Sequence, residues 1–118
     1  MKIINVTPHS ISFLAPNGEE YQAPMSGVVL NARFVDECAG THATGAALVR
    51  TRIEATEESL LALDSIEAEN PGALVVGSLI AAQAFPGRVV ALIAAPGYER
   101  KPASEKRMLD NKFTTFGS

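Results

Sequence analysis

Short segments of alternating apolar and polar residues, separated by turn-forming residues, fill the first half of the chain. Alternation with a period of two predicts β-strands. The predicted strands cover residues 2–6, 11–14, 20–23, 26–35 and 46–55. Pro8, Pro16-Asn17-Gly18 and Pro24 are turn signals between them, and the glycine-containing stretch 38–45 predicts a flexible hairpin connection. Successive strands joined by short turns pair antiparallel, so this half predicts a small β-meander.

Helical spacing of apolar residues appears in the second half, between further strands. Thr56 is a predicted helix N-cap, and Glu57 and Glu58 after it suit the positive end of the helix dipole. Predicted helices cover residues 57–70, 78–85 and 105–111, and predicted strands cover 73–76 and 88–95, with 112–116 a last strand or an extended tail. Residues 1–118 are therefore predicted to form a single α+β domain with a small antiparallel sheet and two or three short helices.

Composition adds a prediction about assembly and location. The chain has 118 residues, 47% hydrophobic but only 6% aromatic and without Trp, so its core must be built from small side chains. A thin core of this kind favours further burial against another copy, which predicts a homo-oligomer. Cys38 is the single cysteine, no signal peptide opens the sequence, and no apolar stretch reaches the roughly 18 residues that span a bilayer. These features predict a cytoplasmic protein without membrane contact.

Charge is unevenly distributed along the chain. Residues 1–87 carry four Lys/Arg and ten Asp/Glu, whereas residues 88–118 carry six Lys/Arg and three Asp/Glu, for a net charge of −3. A protein that binds duplex nucleic acid usually has a larger basic excess, so no such partner is predicted. A local basic pocket for a small phosphate-bearing ligand needs only a few of these cations.

Recognisable catalytic, metal and cofactor motifs are absent from the sequence. His9 and His42 are far apart, and no pattern typical of zinc ligands or of a phosphate-binding loop occurs. No metal and no cofactor are predicted, and a binding protein is favoured over an enzyme. A small hydrolase or lyase is the competing interpretation, and it would need His9 or His42 as its general base.

The last third of the chain interleaves cations with aromatic residues, a composition suited to nucleotides. Cationic side chains neutralise phosphate oxygens, and aromatic rings stack on bases. The predicted ligand-binding residues are Arg88, Tyr98, Arg100, Arg107, Lys112 and Phe113, with Arg50 and Arg52 from the strand at 46–55. The alternative is that the last helix is solvated and that the aromatic residues Tyr98, Phe113 and Phe116 only fill the core.

The opening segment resembles a known group of proteins. Ile4-Asn5-Val6-Thr7-Pro8-His9-Ser10-Ile11 is similar to the I-N-L-T-P-H-x-[IV] start of small phage and prophage proteins. A Ser-Gly pair before a strand containing Ala32-Arg33, and an apolar segment holding Gly77-Ser78, are also similar to that group. Among such proteins the chain resembles the Thoeris anti-defence sponges, which sequester glycocyclic ADP-ribose signals and, in some members, cyclic oligonucleotides.

The resemblance implies a non-catalytic protein that sequesters an immune signal, in the host cytoplasm if the chain is phage-encoded. It also implies symmetric oligomers, hexamers built from dimers, that hold ligand between subunits with aromatic and Arg side chains. The segment from Pro96 to Phe116 departs from the family pattern, so no family ligand residue is carried over. The alternative function is a protein-interaction or assembly module that acts through an Ala/Val-rich oligomer face.

Overall fold

In the computed structural model, which describes residues 2–117, the chain forms eight strands and two helices. The strands are Ile3–Asn5 (β1), Ile11–Leu14 (β2), Glu20–Ala23 (β3), Ala32–Thr41 (β4), Ala47–Ala55 (β5), Leu74–Gly77 (β6), Val90–Ala94 (β7) and Met108–Thr114 (β8). The helices are Glu57–Glu69 (α1) and Leu79–Ala84 (α2). The mixture of sheet and helix agrees with the predicted α+β class.

Six of the strands form one mixed sheet in the order β1-β6-β7-β8-β2-β3. The pairs β1/β6, β6/β7 and β8/β2 are parallel, whereas β7/β8 and β2/β3 are antiparallel. The predicted antiparallel meander is therefore wrong, apart from the hairpins of β2 with β3 and of β4 with β5. The parallel pairing of β6 with both of its neighbours is reflected in its burial, since the consecutive residues Val75 and Val76 are both buried. A strand covered on both faces belongs in the interior of a sheet, where parallel pairing is common.

The sheet curls until its two edge strands, β1 and β3, nearly meet. Asn5 at the end of β1 connects the two edges through individual hydrogen bonds, although β1 and β3 are not paired as neighbouring strands. Its carbonyl oxygen accepts a hydrogen bond from the Ser26 amide at 2.9 Å, and its side-chain Nδ2 donates to the Ala23 carbonyl oxygen at 3.2 Å. The result is a nearly closed sheet with an inside, an outside and an open mouth.

Two packed cores occupy the two faces of this sheet. Inside the curl, Phe13 is fully buried with Ile11 and Val76, and the Phe113 ring meets Phe13 edge-on at 6.3 Å between ring centroids. Outside, the apolar residues of α1 and α2 cover the sheet. Leu63 of α1 is the largest fully buried side chain in this outer core. The predicted small-residue core is found at α2, which buries only alanines (Ala81 and Ala82).

Helix α1 begins after its predicted N-cap, Thr56, and Ser78, predicted as the first helical residue, is the N-cap of α2. Thr56 Oγ1 accepts a hydrogen bond from the Ser59 amide at 3.2 Å, and Ser78 Oγ accepts one from the Ala81 amide at 3.1 Å. Just before Ser78, a Cβ on Gly77 would lie 2.8 Å from Val89 Cγ1, so a side chain does not fit where β6 turns into α2. Within residues 2–117, neither helix is long and apolar enough to cross a lipid bilayer.

The predicted third helix at residues 105–111 is wrong. A single turn forms instead, in which the Pro102 carbonyl oxygen accepts from the amides of Glu105 at 2.9 Å and Lys106 at 3.0 Å. The chain then enters β8, which pairs with β7 on one edge and β2 on the other. This pairing places Met108 and Phe113 in the inner core, and that burial outweighs the weak local preference for helix.

Strands β4 and β5 form a separate two-stranded hairpin, here called the arm. The predicted strand at 46–55 is confirmed. The predicted strand at 26–35 begins and ends too early, and most of the predicted connection at 38–45 belongs to β4. β4 begins at Ala32 and continues to Thr41, and the turn itself is closed by the His42 amide donating to the Ala46 carbonyl oxygen at 2.8 Å. Long cross-strand pairing extends β4 through small residues that, taken alone, favour a loop.

Candidate functional site

The open mouth of the curled sheet contains a cleft of about 540 Å³, here called the mouth cleft. This volume lies within the range of roughly 300–1,000 Å³ typical of small-molecule sites. It is lined by Thr7, Pro8, His9, Ser10, Ile11, Ser12, Gly77, Ser78, Leu79, Ala91, Leu92, Ala103, Lys106 and Met108. Four parts of the chain therefore converge on it: the loop between β1 and β2, the start of α2, β7, and the segment that leads into β8.

The loop between β1 and β2 is held in place by the buried side chain of Asn5, which is only 1% exposed. Asn5 Nδ2 donates to the His9 carbonyl oxygen at 2.7 Å as well as to Ala23. Its Oδ1 accepts from the Thr7 amide at 2.9 Å and lies 2.6 Å from the Thr7 hydroxyl. The motif Asn-x-Thr-Pro-His is thus a self-contained turn, and its far side forms one wall of the mouth cleft.

Apolar groups form most of the cleft wall. Ile11 belongs to the inner core, and the half-buried Leu92 and Met108 pack against that core from the cleft side. Leu79 lies at the rim and is 57% exposed. A wall of this kind favours the planar or apolar part of a ligand through burial of apolar surface.

Lys106 supplies the only Lys or Arg side chain among the lining residues, and no Asp or Glu lines the cleft. Within residues 2–117 no salt bridge involves Lys106. Its ammonium group is therefore free to meet an anion at the entrance, without a carboxylate on the wall to repel it. This electrostatic pattern is suited to a ligand that combines a ring with a negative charge.

The polar side chains of the cleft are donors rather than an acid–base system. Ser10 and Ser12 offer hydroxyl groups, and Ser78 retains its proton although its oxygen caps α2. His9 is the one imidazole in the wall, and no carboxylate there orients it. Within residues 2–117 no three His, Cys, Asp or Glu side chains lie close enough together to hold a metal ion. The arrangement is equipped to bind and orient a small molecule.

Comparisons with known proteins add nothing to this geometry. No family model, curated protein or solved structure matches the chain. The resemblance to anti-defence sponges rests on the opening segment and on the segments around Ala32-Arg33 and Gly77-Ser78, and it stays a prediction.

Arg88, the first of the predicted ligand residues, lies outside the mouth cleft. Its guanidinium donates to Asp64 Oδ1 at 2.6 Å and to the carboxylate of Glu67, both on α1. The hydrogen bonds from Arg88 to Glu67, and then to Asp64, raise the pKa of Arg88 further above its ordinary value. Arg88 ties the turn after α2 to α1, and its charge is already matched.

Arg107 and Tyr98 also lie outside the lining of the mouth cleft. Arg107 pairs with Glu20 of β3, and this hydrogen bond raises the pKa of Arg107 above its ordinary value. Arg107 and Glu20 line a second hollow of about 210 Å³ together with Ser12, Tyr21 and Gln22. This hollow is smaller and lies over the β2–β3 hairpin.

The remaining predicted ligand residues are dispersed. Phe113 is in the inner core, and Arg100 and Lys112 are exposed. Arg50 and Arg52 are on the arm, where Arg52 forms salt bridges with two glutamates at 2.9 and 3.0 Å. None of the eight predicted residues lines the mouth cleft of its own chain. Their convergence across a subunit boundary stays a prediction.

Several cleft residues were missed as ligand candidates. Lys106 is not among the predicted ligand residues although its neighbour Arg107 is, because nothing in the sequence distinguishes one cation of this segment from the next. His9, Ser10 and Ser12 follow the first predicted strand, and the dipeptide Thr7-Pro8 before them predicts a fixed turn. A fixed loop carrying several polar side chains is a signal for function that was available from the sequence.

Tyr21 in the second hollow gives a prediction about pH. Its hydroxyl donates to Asp110 Oδ2 at 2.7 Å. Burial, this hydrogen bond and the Asp110 charge together raise the pKa of Tyr21 from 10.0 to about 12. Because the folded protein favours the neutral phenol, the stability that Tyr21 contributes is complete below pH 10 and is lost as pH rises toward 12. Tyrosinate absorbance followed during an alkaline titration should show this late step.

Two variants test the assignment. Tyr21→Phe should remove the late step, and Asp110→Asn should move it to lower pH, because the hydrogen bond and charge that favour the phenol are weakened. The chain has only two tyrosines, so the signals can be separated. A late step that persists in Tyr21→Phe would contradict the assignment.

Proposed function

We propose that this protein is a non-catalytic sponge that binds a nucleotide-type immune signal, a cyclic nucleotide or an ADP-ribose derivative, in the mouth cleft. The observation that carries the proposal is a cleft of about 540 Å³ whose lining, among residues 2–117, is mostly apolar and includes one cation without a salt bridge, Lys106. The base and ribose carbons of such a ligand suit the apolar wall, and a phosphate suits the ammonium group. The resemblance of the opening segment to anti-defence sponges supports the choice of ligand class.

Sequestration lowers the concentration of free signal without changing the signal. The wall of the mouth cleft supports this mechanism, because it offers hydroxyl donors and a cation but no carboxylate to orient His9 as a base. We place this activity in the host cytoplasm, with the protein acting as a symmetric, dimer-based oligomer. Arg50, Arg100 and Lys112, for which residues 2–117 provide no salt bridge, would then be the cations available to a ligand shared between subunits.

Replacing Lys106 by glutamine tests the electrostatic part. Calorimetry with cyclic ADP-ribose and cyclic dinucleotides as probes should show about tenfold weaker binding for Lys106→Gln, since one charge-assisted hydrogen bond is worth roughly 1.5–3 kcal/mol. The salt dependence of the affinity should fall as well. Lys101→Gln is the matched control, because Lys101 is exposed, belongs to the same segment and does not line the cleft. Equal losses in both variants, or no binding of any probe by the wild-type protein, would contradict the proposal.

Recovery of the ligand distinguishes a sponge from a hydrolase. Denaturing a saturated complex should return the probe with its mass unchanged. A cleaved product would favour an enzyme, with His9 as its base, because His42 lies at the tip of the arm and bonds Thr44 instead. In that case His9→Ala should abolish the product, whereas a sponge releases intact probe in both proteins.

A second candidate is a protein-interaction or assembly module. The observation that favours it is the exposure of apolar side chains on the two faces of the arm, where Phe34, Leu48 and Val49 are between 45% and 58% exposed. Failure of the wild-type protein to bind any probe, together with a stable complex with a host protein, would favour this function over sequestration.

A further inference from the structure

The arm extends away from the rest of the chain. The radius of gyration is 16.8 Å, and the longest dimension is 54 Å. A compact chain of this length has a radius of gyration of about 13.5 Å. A two-stranded hairpin with no layer against it is at best marginally stable in water. The arm therefore has the form of an element whose packing partner lies outside its own chain.

The two faces of the arm differ in chemistry. Side chains alternate between faces along each strand, and directly paired residues share a face. One face carries Arg33, Arg52, Glu37 and Glu54, whose salt bridges at 2.9–3.2 Å satisfy one another in water. We call it the charged face.

The opposite face, here called the uncharged face, carries Phe34 paired with Ile53 and Cys38 paired with Val49. Phe34 is 58% and Val49 is 51% exposed. Asp36 is its one ionisable carboxylate, and Thr51 Oγ1 donates to Asp36 Oδ1 at 2.7 Å. Apart from Asp36, whose carboxylate is hydrogen-bonded to Thr51, the face carries no charge, and contact with another largely uncharged face would bury its apolar side chains.

We propose that the uncharged face of the arm packs against a second copy of this chain. A second copy offers the same uncharged ribbon, so one two-fold axis covers both exposed faces at once. A partner with a charged surface would leave those charges unpaired against Phe34 and Val49. The charged face, where Arg33 and Arg52 pair with glutamates and Arg50 opposite Glu37 adds a further cation, stays in solvent.

The area of the interface indicates which other residues take part. Two paired strands of about nine residues each form a ribbon of about 30 Å by 10 Å, so one face of the arm has an area of roughly 300 Å². Stable interfaces bury about 800 Å² on each partner. Helix α2 lies beside the base of the arm and exposes Leu79 and Ile80 at 57% and 41%. The interface therefore comprises the uncharged face together with the outer side of α2. This inference rests on the oligomer in the proposed function and not on the ligand. A monomer that binds nucleotide would therefore overturn the interface on the arm and leave the proposed ligand untouched.

Two neighbouring residues provide a matched test. Val49 is on the uncharged face and Leu48 is on the charged face, and their exposures are similar at 51% and 45%. Sedimentation and light scattering should show a dimer, or a multiple of one, for the full-length wild-type protein at micromolar concentration. Val49→Lys should shift dissociation to at least tenfold higher concentration, whereas Leu48→Lys should behave as the wild type. Circular dichroism checks that both variants are folded.

Alkylation of Cys38 gives an independent readout, because this thiol is exposed in the single chain and lies on the uncharged face. The alkylation rate should fall at least tenfold between dilute and concentrated wild-type protein, but not in Val49→Lys. A wild-type monomer at all concentrations overturns the proposal, as does an oligomer unaffected by Val49→Lys. If both variants dissociate, protection of Cys38 in the wild-type oligomer supports the uncharged face, and full reactivity overturns it.

Discussion

Replacing Asn5 by aspartate should destabilise the folded chain by about 3 kcal/mol, because two buried hydrogen bonds are lost together. Asn5 Nδ2 donates to the carbonyl oxygens of His9 and Ala23, at 2.7 and 3.2 Å. A carboxylate in the same place would face both carbonyl oxygens without a proton to share. With only 1% of Asn5 exposed, water cannot replace the missing donors.

Asn17→Asp is the matched control for this experiment. Asn17 lies in an exposed turn, where its Oδ1 accepts from the Glu19 amide at 3.0 Å, and a carboxylate can accept the same bond. The control should therefore change stability by less than about 0.5 kcal/mol. Urea denaturation of the three proteins measures the difference. Asn5→Asp and Asn17→Asp with stabilities within 1 kcal/mol of each other, roughly the worth of a single hydrogen bond, would contradict the role given to Asn5.

Filling the mouth cleft should strongly weaken ligand binding without unfolding the protein. Ala103 lines the cleft from an exposed turn, so Ala103→Trp can place an indole in the ligand's space with little strain on the core. We expect cyclic ADP-ribose to bind about 100-fold more weakly, which corresponds to roughly 2.7 kcal/mol. Calorimetry measures the loss, and thermal unfolding shows that the fold is retained.

Ser104→Trp adds the same side chain one position later, where the residue is exposed but does not line the cleft. This variant should bind cyclic ADP-ribose as the wild type does. If Ser104→Trp and Ala103→Trp lose binding equally, the ligand site lies elsewhere on the chain. If neither loses binding, the mouth cleft is not the site.

Local signals in the sequence predicted the elements that depend on local interactions. Thr56 and Ser78 cap α1 and α2 with their own hydroxyl groups, and both helices were predicted within a residue or two of their observed ends. The hairpin of β2 and β3 follows the turn at Pro16-Asn17-Gly18 for the same reason. Each of these features is settled within a few residues of the chain.

Long-range pairing could not be predicted in the same way. Residues 105–111 have helical spacing, yet β8 forms there because β7 and β2 offer unpaired edges on both sides. β1 pairs with β6 almost seventy residues later, and only the buried pair Val75 and Val76 signals that β6 is central. The mouth cleft depends on these pairings. Its residues come from four separate parts of the chain, and no spacing in the sequence brings Lys106 to the loop after β1.

Mass spectrometry of small molecules released from purified protein tests the central claim most directly. Wild-type protein and the two tryptophan variants would be prepared from cells that make ADP-ribose-type defence signals, and denatured. We predict an intact nucleotide in near-equal amounts from the wild type and Ser104→Trp, and none from Ala103→Trp. No nucleotide from the wild type, or the same amount from Ala103→Trp, would contradict the assignment of the mouth cleft as the signal-binding site.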